Sequence, residues 1–205
     1  MVELSQPLPI PPWEWKSKSN LFYFLSASSD LEMNKYIPFW VLFALVVTSD
    51  QWSKSLVVEN SKELQENPIV VLELINGREN LLEFTYITNP GAAWSMFSDY
   101  PEALTLLALT ALISIFFFRK ALELNKIPHQ YVFGLIAGGI AGNLGDRLFR
   151  DPAEVVDFID FFLPVINYDY PIFNIADSAI FVGAFSYIII GIVEAKNEKE
   201  LQGVT

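Results

Sequence analysis

Four long apolar stretches mark the chain, at residues 36–58, 101–118, 128–146 and 171–195. A helix needs roughly 20 mostly apolar residues to cross the hydrocarbon core of a bilayer. PEALTLLALTALISIFFF (101–118) and PIFNIADSAIFVGAFSYIIIGIVEA (171–195) are apolar on every side. A soluble helix would confine its apolar residues to one stripe. The other two, YIPFWVLFALVVTSDQWSKSLVV and PHQYVFGLIAGGIAGNLGD, carry polar residues in their final third. The pattern predicts a mainly α membrane protein with four transmembrane helices, in a domain over residues 33–200.

Between the first two spans the pattern changes period. IVVLELINGRENLLEFTYIT reads as two extended runs around Asn76-Gly77, a dipeptide that often closes hairpins. A small β-element is therefore expected within the loop 59–100. Residues 1–32, with Pro7, Pro9, Pro11 and Pro12 ahead of Trp13 and Trp15, form a distinct N-terminal tail. No short apolar core follows a basic start there, so it does not read as a cleavable signal peptide. The glycines of AGGIAGNLG suit close helix packing through small residues, and the GK[ST] ending of a phosphate loop is missing.

Charge orients the spans. Lys16, Lys18, Lys35, Arg119, Lys120, Lys126, Lys196 and Lys199 fall on one side, in short flanks. Lys54, Lys62, Arg78, Arg147 and Arg150 are spread over longer loops on the other. Cytoplasmic loops carry the excess of Lys and Arg. Both termini and the tail 1–32 are then cytoplasmic, while the loop 59–100 with its β-element and the loop 147–170 face outward. A net charge of −11 argues against a nucleic-acid partner, which selects for basic surfaces. With no Cys and a single His, His129, sites that need a thiolate or two histidines are excluded.

Depth then gathers the polar residues. At about 1.5 Å of rise per residue, Asp50 lies near the outer end of the first span. Asn143, Asp146 and Arg147 lie at the outer end of the third, and Asn174 and Asp177 one to two turns into the fourth. Ionisable residues at such depth are costly and usually mark function. Asn143 and Asp146 share a helix face, as do Asn174 and Asp177. Asp50 can pair with Lys54, four residues on, and Asp146 with Arg147; interhelical bonding is the structural alternative for each. In VVDFIDFFLPV, which must lie along the outer interface, Asp157 sits between Val156 and Phe158. That apolar setting raises a carboxyl pKa. If Asp157 met Asp177, the pair could share one proton, one carboxylate acting as base on a water while the other polarised a scissile carbonyl. HExxH and GxSxG, the marks of competing hydrolytic chemistries, are absent from the sequence.

SDQWSK (49–54), TNPGAAWS (88–95), GGIAGNLGDR (138–147), VVDFID (155–160) and FNIADSAI (173–180) together resemble the five sequence blocks of bacterial lipoprotein signal peptidase, the type II signal peptidase. They occur in the family's order and cover residues 36–195. The resemblance implies an aspartic endopeptidase of the bacterial cytoplasmic (inner) membrane. It would cut prolipoproteins before their diacylglyceryl-modified cysteine, near the outer face, as a monomer in contact with membrane lipid. By motif, Asp157 and Asp177 match the catalytic pair. Asp50, Lys54, Asn89, Gly91, Asn143, Asp146, Arg147 and Asn174 fall at positions that support the site or the substrate. No metal or cofactor is implied. Trp94 stands where the family more often has Phe, the segment from Arg147 to Asp157 is slightly extended, and Asp160 rivals Asp177 as partner of Asp157.

A second reading is a small four-span transporter or ion-conducting protein with Asp50, Asp146 and Asp177 along a polar path. Such a path needs polar positions through the inner half of the bilayer, which the second and fourth spans lack. The orientation has a direct check. A Cys introduced at Gly77 should react with an impermeant thiol reagent in intact cells, and one at Lys126 should not. Labelling at 126 but not at 77 would reverse the topology.

Overall fold

The computed structural model describes residues 33–73, 80–91 and 96–203. After a 3-10 turn at Met33–Tyr36 come α1 (Ile37–Glu59), α2 (Ser61–Glu66), β1 (Ile69–Glu73) and β2 (Asn80–Asn89). They are followed by α3 (Pro101–Phe117), α4 (Ile127–Phe149), β3 (Val155–Leu163), β4 (Tyr168–Phe173) and α5 (Ile175–Gly203). Residues Ile37–Thr205 form one compact unit. The tail 1–32, the Asn76-Gly77 turn and Trp94 lie outside the described residues.

Prolines open two of the long helices, Pro101 in α3 and Pro128 in α4. A proline costs nothing in the first turn, where the backbone N–H has no helical partner. α4 is the hub of the bundle, packing against α1, α3 and α5. Its glycines are the reason it can. A Cβ at Gly134 would lie 2.9 Å from the Phe39 carbonyl oxygen, and one at Gly138 would lie 2.8 Å from the Val46 Cβ. At Gly142 it would lie 2.6 Å from Asp50 Oδ2. These three glycines, spaced by four, make the stripe that receives α1, whose buried residues Phe39, Val46, Asp50, Lys54 and Val57 lie along one face. Gly139 faces α5 instead, where a Cβ would strike the Ala176 carbonyl and the Ile180 side chain.

The outward faces are apolar. α1 and α5 are long and apolar enough to cross a membrane, and only 22% and 17% of their most apolar windows are buried. The core helix of a soluble protein would be mostly buried. α3 is shorter, equally apolar, and buries no residue. Leu106, Leu107, Ile113, Phe116 and Phe117 are all more than half exposed on it.

The four strands form one antiparallel sheet in the order β1-β2-β3-β4. β1 and β2 are the two extended runs expected in the loop 59–100. The sheet is larger than that expectation. Residues 147–170 contribute β3, and Tyr168–Phe173, partly assigned to the fourth span, form β4, so that the last helix begins at Ile175 rather than Pro171. Pro171 is tolerated because β4 is an edge strand, where a missing N–H breaks no ladder. β3 gave no alternating signal because Val155 to Phe158 are buried on both faces. Val156 and Phe158 pack on Val57 of α1 and Leu64 of α2. That seats the sheet on one end of the bundle and turns Asp157 to the opposite face of the strand.

Close packing at α4 yields a paired prediction. Gly139→Ala should destabilise the fold by about 1–3 kcal/mol, since the Ala176 backbone cannot yield without moving α5. Gly191→Ala meets nothing within 4 Å and should leave the melting temperature in detergent unchanged. Equal melting temperatures for both variants would show that the α4–α5 contact is loose.

Candidate active site

Lys54 lies one turn after Asp50 on α1, and neither side chain has any exposed surface. Lys54 Nζ donates to Asp50 Oδ2 at 2.9 Å, Asp146 Oδ2 at 2.8 Å and Asn143 Oδ1 at 2.8 Å. An ammonium has three protons, so its donors are all used. Asp50 Oδ1 accepts the Ala176 backbone N–H at 2.9 Å, placing a carboxylate at the positive end of α5. Asp146 Oδ1 accepts from Gln51 Nε2 at 3.1 Å and Arg150 Nε at 2.7 Å. Its Oδ2 also accepts the Val156 N–H at 3.3 Å, which ties β3 to the bundle. The expected Asp146–Arg147 pair is replaced by Asp146–Arg150, because residues four apart share a helix face and neighbours do not. Arg147 instead donates from Nη2 to the Gly91 carbonyl at 2.6 Å.

The second carboxylate layer rests on this one. Asn174 caps α5: its Oδ1 accepts the Asp177 N–H at 2.9 Å, while Asp177 Oδ2 accepts the Asn174 N–H at 3.3 Å. This is a reciprocal capping box with Asp in the acidic place. Asp177 Oδ1 accepts from Asn143 Nδ2 at 2.7 Å. Lys54 thus decides which way the Asn143 amide faces. Asn174 Nδ2 donates to Asp157 Oδ1 at 2.7 Å and lies 3.2 Å from the Val156 carbonyl. Asp157 Oδ2 accepts from Asn89 Nδ2 at 3.2 Å, and Asn89 Oδ1 accepts the Gly91 N–H at 2.9 Å. One residue, Asn174, therefore holds both carboxyls, Asp157 by its side chain and Asp177 by its main chain.

Asp157 and Asp177 line a single cleft of about 460 Å³ with Asn89, Gly91, Asn143 and Arg147. All ten residues singled out from the sequence belong to this network. Asp160 does not join the pair. Opposite Glu83 in the sheet register, it lines a neighbouring cleft with Tyr168 and Asp169. Three residues along a strand place it on the other face from Asp157. Two residues of the network were missed, Gln51 and Arg150. Arg150 had a signal, its spacing of four from Asp146.

Burial pushes the Asp157 carboxyl up to about 7, with the charge of Asp177 adding to it and the amides of Asn89 and Asn174 opposing. Near neutral pH the pair therefore holds a proton that exposed carboxyls would have lost.

Residues 42–193 match the family model described as signal peptidase (SPase) II. The chain belongs to the signal peptidase II family. The lipoprotein signal peptidase of Anoxybacillus flavithermus is 33% identical over 161 residues, covering 78% of this chain and 89% of that protein. Two solved structures, each described as a bacterial membrane enzyme crystallised in meso, have the same fold. The one at 2.3 Å resolution superposes with a TM-score of 0.65 at 28% identity, covering 78% of this chain and 90% of its own. The one at 1.9 Å gives a TM-score of 0.60 at 29% identity over 75% and 91%. This family member is a bacterial membrane protein and a peptidase.

The raised Asp157 carboxyl has a consequence for stability. Its folded pKa lies above the usual 3.8, so the folded state binds more protons between those two values and loses stability as pH rises through them. Asparagine cannot ionise. The stability of Asp157→Asn relative to the natural chain should therefore grow from pH 4 to pH 8, by on the order of 4 kcal/mol. Thermal melts in detergent at pH 4 and pH 8 measure it. A difference that does not change with pH would mean that Asp157 is not a buried acid.

Proposed function

We propose that this signal peptidase II family member removes the signal peptide from prolipoproteins by aspartic-protease chemistry, with Asp157 and Asp177 as the catalytic pair. The observation that carries this reading is that the two carboxyls, from β3 and the first turn of α5, line one cleft and are held by one asparagine. At neutral pH the pair keeps a single proton. The ionised carboxylate takes a proton from a water, whose oxygen attacks the scissile carbonyl carbon. The protonated carboxyl gives its proton to the carbonyl oxygen, forming a neutral tetrahedral diol. Collapse of the diol breaks the C–N bond, returns a proton to the pair and passes one to the leaving amine.

Asp50, Lys54 and Asp146 support the pair by fixing α1, α4 and α5. Asn89, Asn143 and Asn174 aim it, and Gly91 and Arg147 border the substrate. α1, α3, α4 and α5 are the four spans, both termini are cytoplasmic, and the sheet and cleft sit at the outer face. The cut falls before the diacylglyceryl-modified cysteine, and the enzyme works as a monomer among membrane lipids. Helices of 17 and 23 residues, about 26 and 34 Å long, suit such spans.

Cleavage of a lipidated prolipoprotein by the purified chain in detergent tests the assignment. Asp157→Asn and Asp177→Asn should each abolish turnover in a folded protein, a loss of at least 1000-fold. Asp160→Asn should cost less than tenfold, because it lines the neighbouring cleft. Near-normal turnover of Asp177→Asn would end the dyad assignment.

A further inference from the structure

At the end of α4 opposite the cleft, four polar side chains converge. The connection that follows α3 is pinned there by the buried Leu124 and carries Glu123 beside it. Lys126 Nζ donates to Glu123 Oε2 at 2.9 Å and to Glu194 Oε1 of α5 at 2.8 Å. His129, in the first turn of α4, faces the same Glu123 oxygen. Its Nε2 is 3.7 Å from Glu123 Oε2, beyond hydrogen-bond reach. The imidazole is only 4% exposed, and its Nδ1 has no hydrogen-bond partner. The Tyr187 ring packs against it in a T-shaped contact at 6.0 Å. An ion-pair bridge accounts for Lys126 and the two glutamates. It leaves a buried imidazole unpaired, which costs stability.

We infer that Glu123, His129 and Glu194 form a binding site for a divalent transition-metal ion of the zinc type, with Lys126 as its resident competitor. One ligand atom from each of the three lies within 4.8 Å of those of the other two. Ligands bound to a tetrahedral zinc at about 2.1 Å stand roughly 3.4 Å from one another. The 3.7 Å between His129 Nε2 and Glu123 Oε2 needs little adjustment to meet that spacing. One imidazole nitrogen and two carboxylates suit zinc, which takes three protein ligands and a water in an open site. Charge favours the exchange, because one ammonium leaves a negative charge unmatched and a dication removes it. Lys126 has a way out, since its side chain is 40% exposed and can turn into water. From His129 to Asn143 is about 21 Å along α4, so the ion does not reach the dyad and its role is structural. α3 buries no residue and packs on α4. A metal shared between its connection and α5 clasps that helix to the bundle a second time.

Calorimetric titration of Zn2+ into the full chain in detergent, purified without a polyhistidine tag, tests the site. The natural chain should bind one Zn2+ and melt at a higher temperature with it than without. Lys126→Met removes the competing ammonium and should tighten binding at least tenfold. Glu194→Gln and His129→Gln should each weaken binding at least tenfold and abolish the thermal shift. Glu194 is 39% exposed, so its variant decides the matter if His129→Gln fails to fold. Asp157→Asn should bind as the natural chain does, which separates this site from the carboxyls of the cleft. Mg2+ at the same concentration should not displace zinc, because it demands an octahedral shell of oxygens. No binding, binding by Lys126→Met alone, or binding that Glu194→Gln and His129→Gln leave unchanged would overturn the site. Each of those outcomes leaves the dyad standing, because the titration does not involve cleavage.

Discussion

A lysine ammonium with no exposed surface, held by two carboxylates and an amide, is the contact on which the rest of this structure depends. Lys54 reaches from α1 to Asp146 and Asn143 of α4 and to Asp50 on its own helix. Through Asp50 it also fixes the first turn of α5. Breaking a buried ion pair by removing one partner costs about 3–5 kcal/mol, because the partner left behind stays charged and dry. Three helices and β3 are therefore locked in one register by a single charge. The glycines of α4 serve the same contact: a side chain at Gly142 would occupy the place of the Asp50 carboxylate.

Charge balance then separates the carboxyls into two kinds. Asp50 and Asp146 are matched by Lys54 and Arg150, so this group is neutral when all four are ionised. Asp157 and Asp177 receive hydrogen bonds from asparagine amides and a backbone N–H rather than from cations. Neutral donors steady a carboxylate without committing it to the ionised form. Burial is then free to raise the pKa of Asp157. The acid–base role proposed for Asp157 and Asp177 needs that freedom, and a structural ion pair would lose by it.

The sheet makes the second decision. Packing of Val156 and Phe158 on Val57 and Leu64 sets the phase of β3, and the phase sends Asp157 to the cleft and Asp160 to its neighbour. A slip of one residue would exchange the faces of every side chain on the strand.

Composition and periodicity alone determined helices over residues 36–58, 101–118 and 128–146, which the structure places at 37–59, 101–117 and 127–149, together with the two strands flanking residues 76–77 and the layer of polar residues that belongs together. Each is a local signal: an apolar run of sufficient length, a turn dipeptide, a spacing of three or four. The Asp50–Lys54 pair was legible for that reason, and Arg150 was within reach of the same rule. β3 and β4 were not legible. A strand buried on both faces has no alternation, and apolar residues ahead of a helix read as more helix. The family motifs pointed to Asp177 as the neighbour of Asp157, but composition and spacing could not choose between Asp160 and Asp177, because that choice depends on whether residues 155–163 coil or extend. Only the pairing of β3 with β2 and β4, and its seat on α1, made them extend. Tertiary contacts decided the geometry of the site because its residues are distant in sequence, from Asn89 to Asp177, and meet only where a strand crosses the end of a helix bundle.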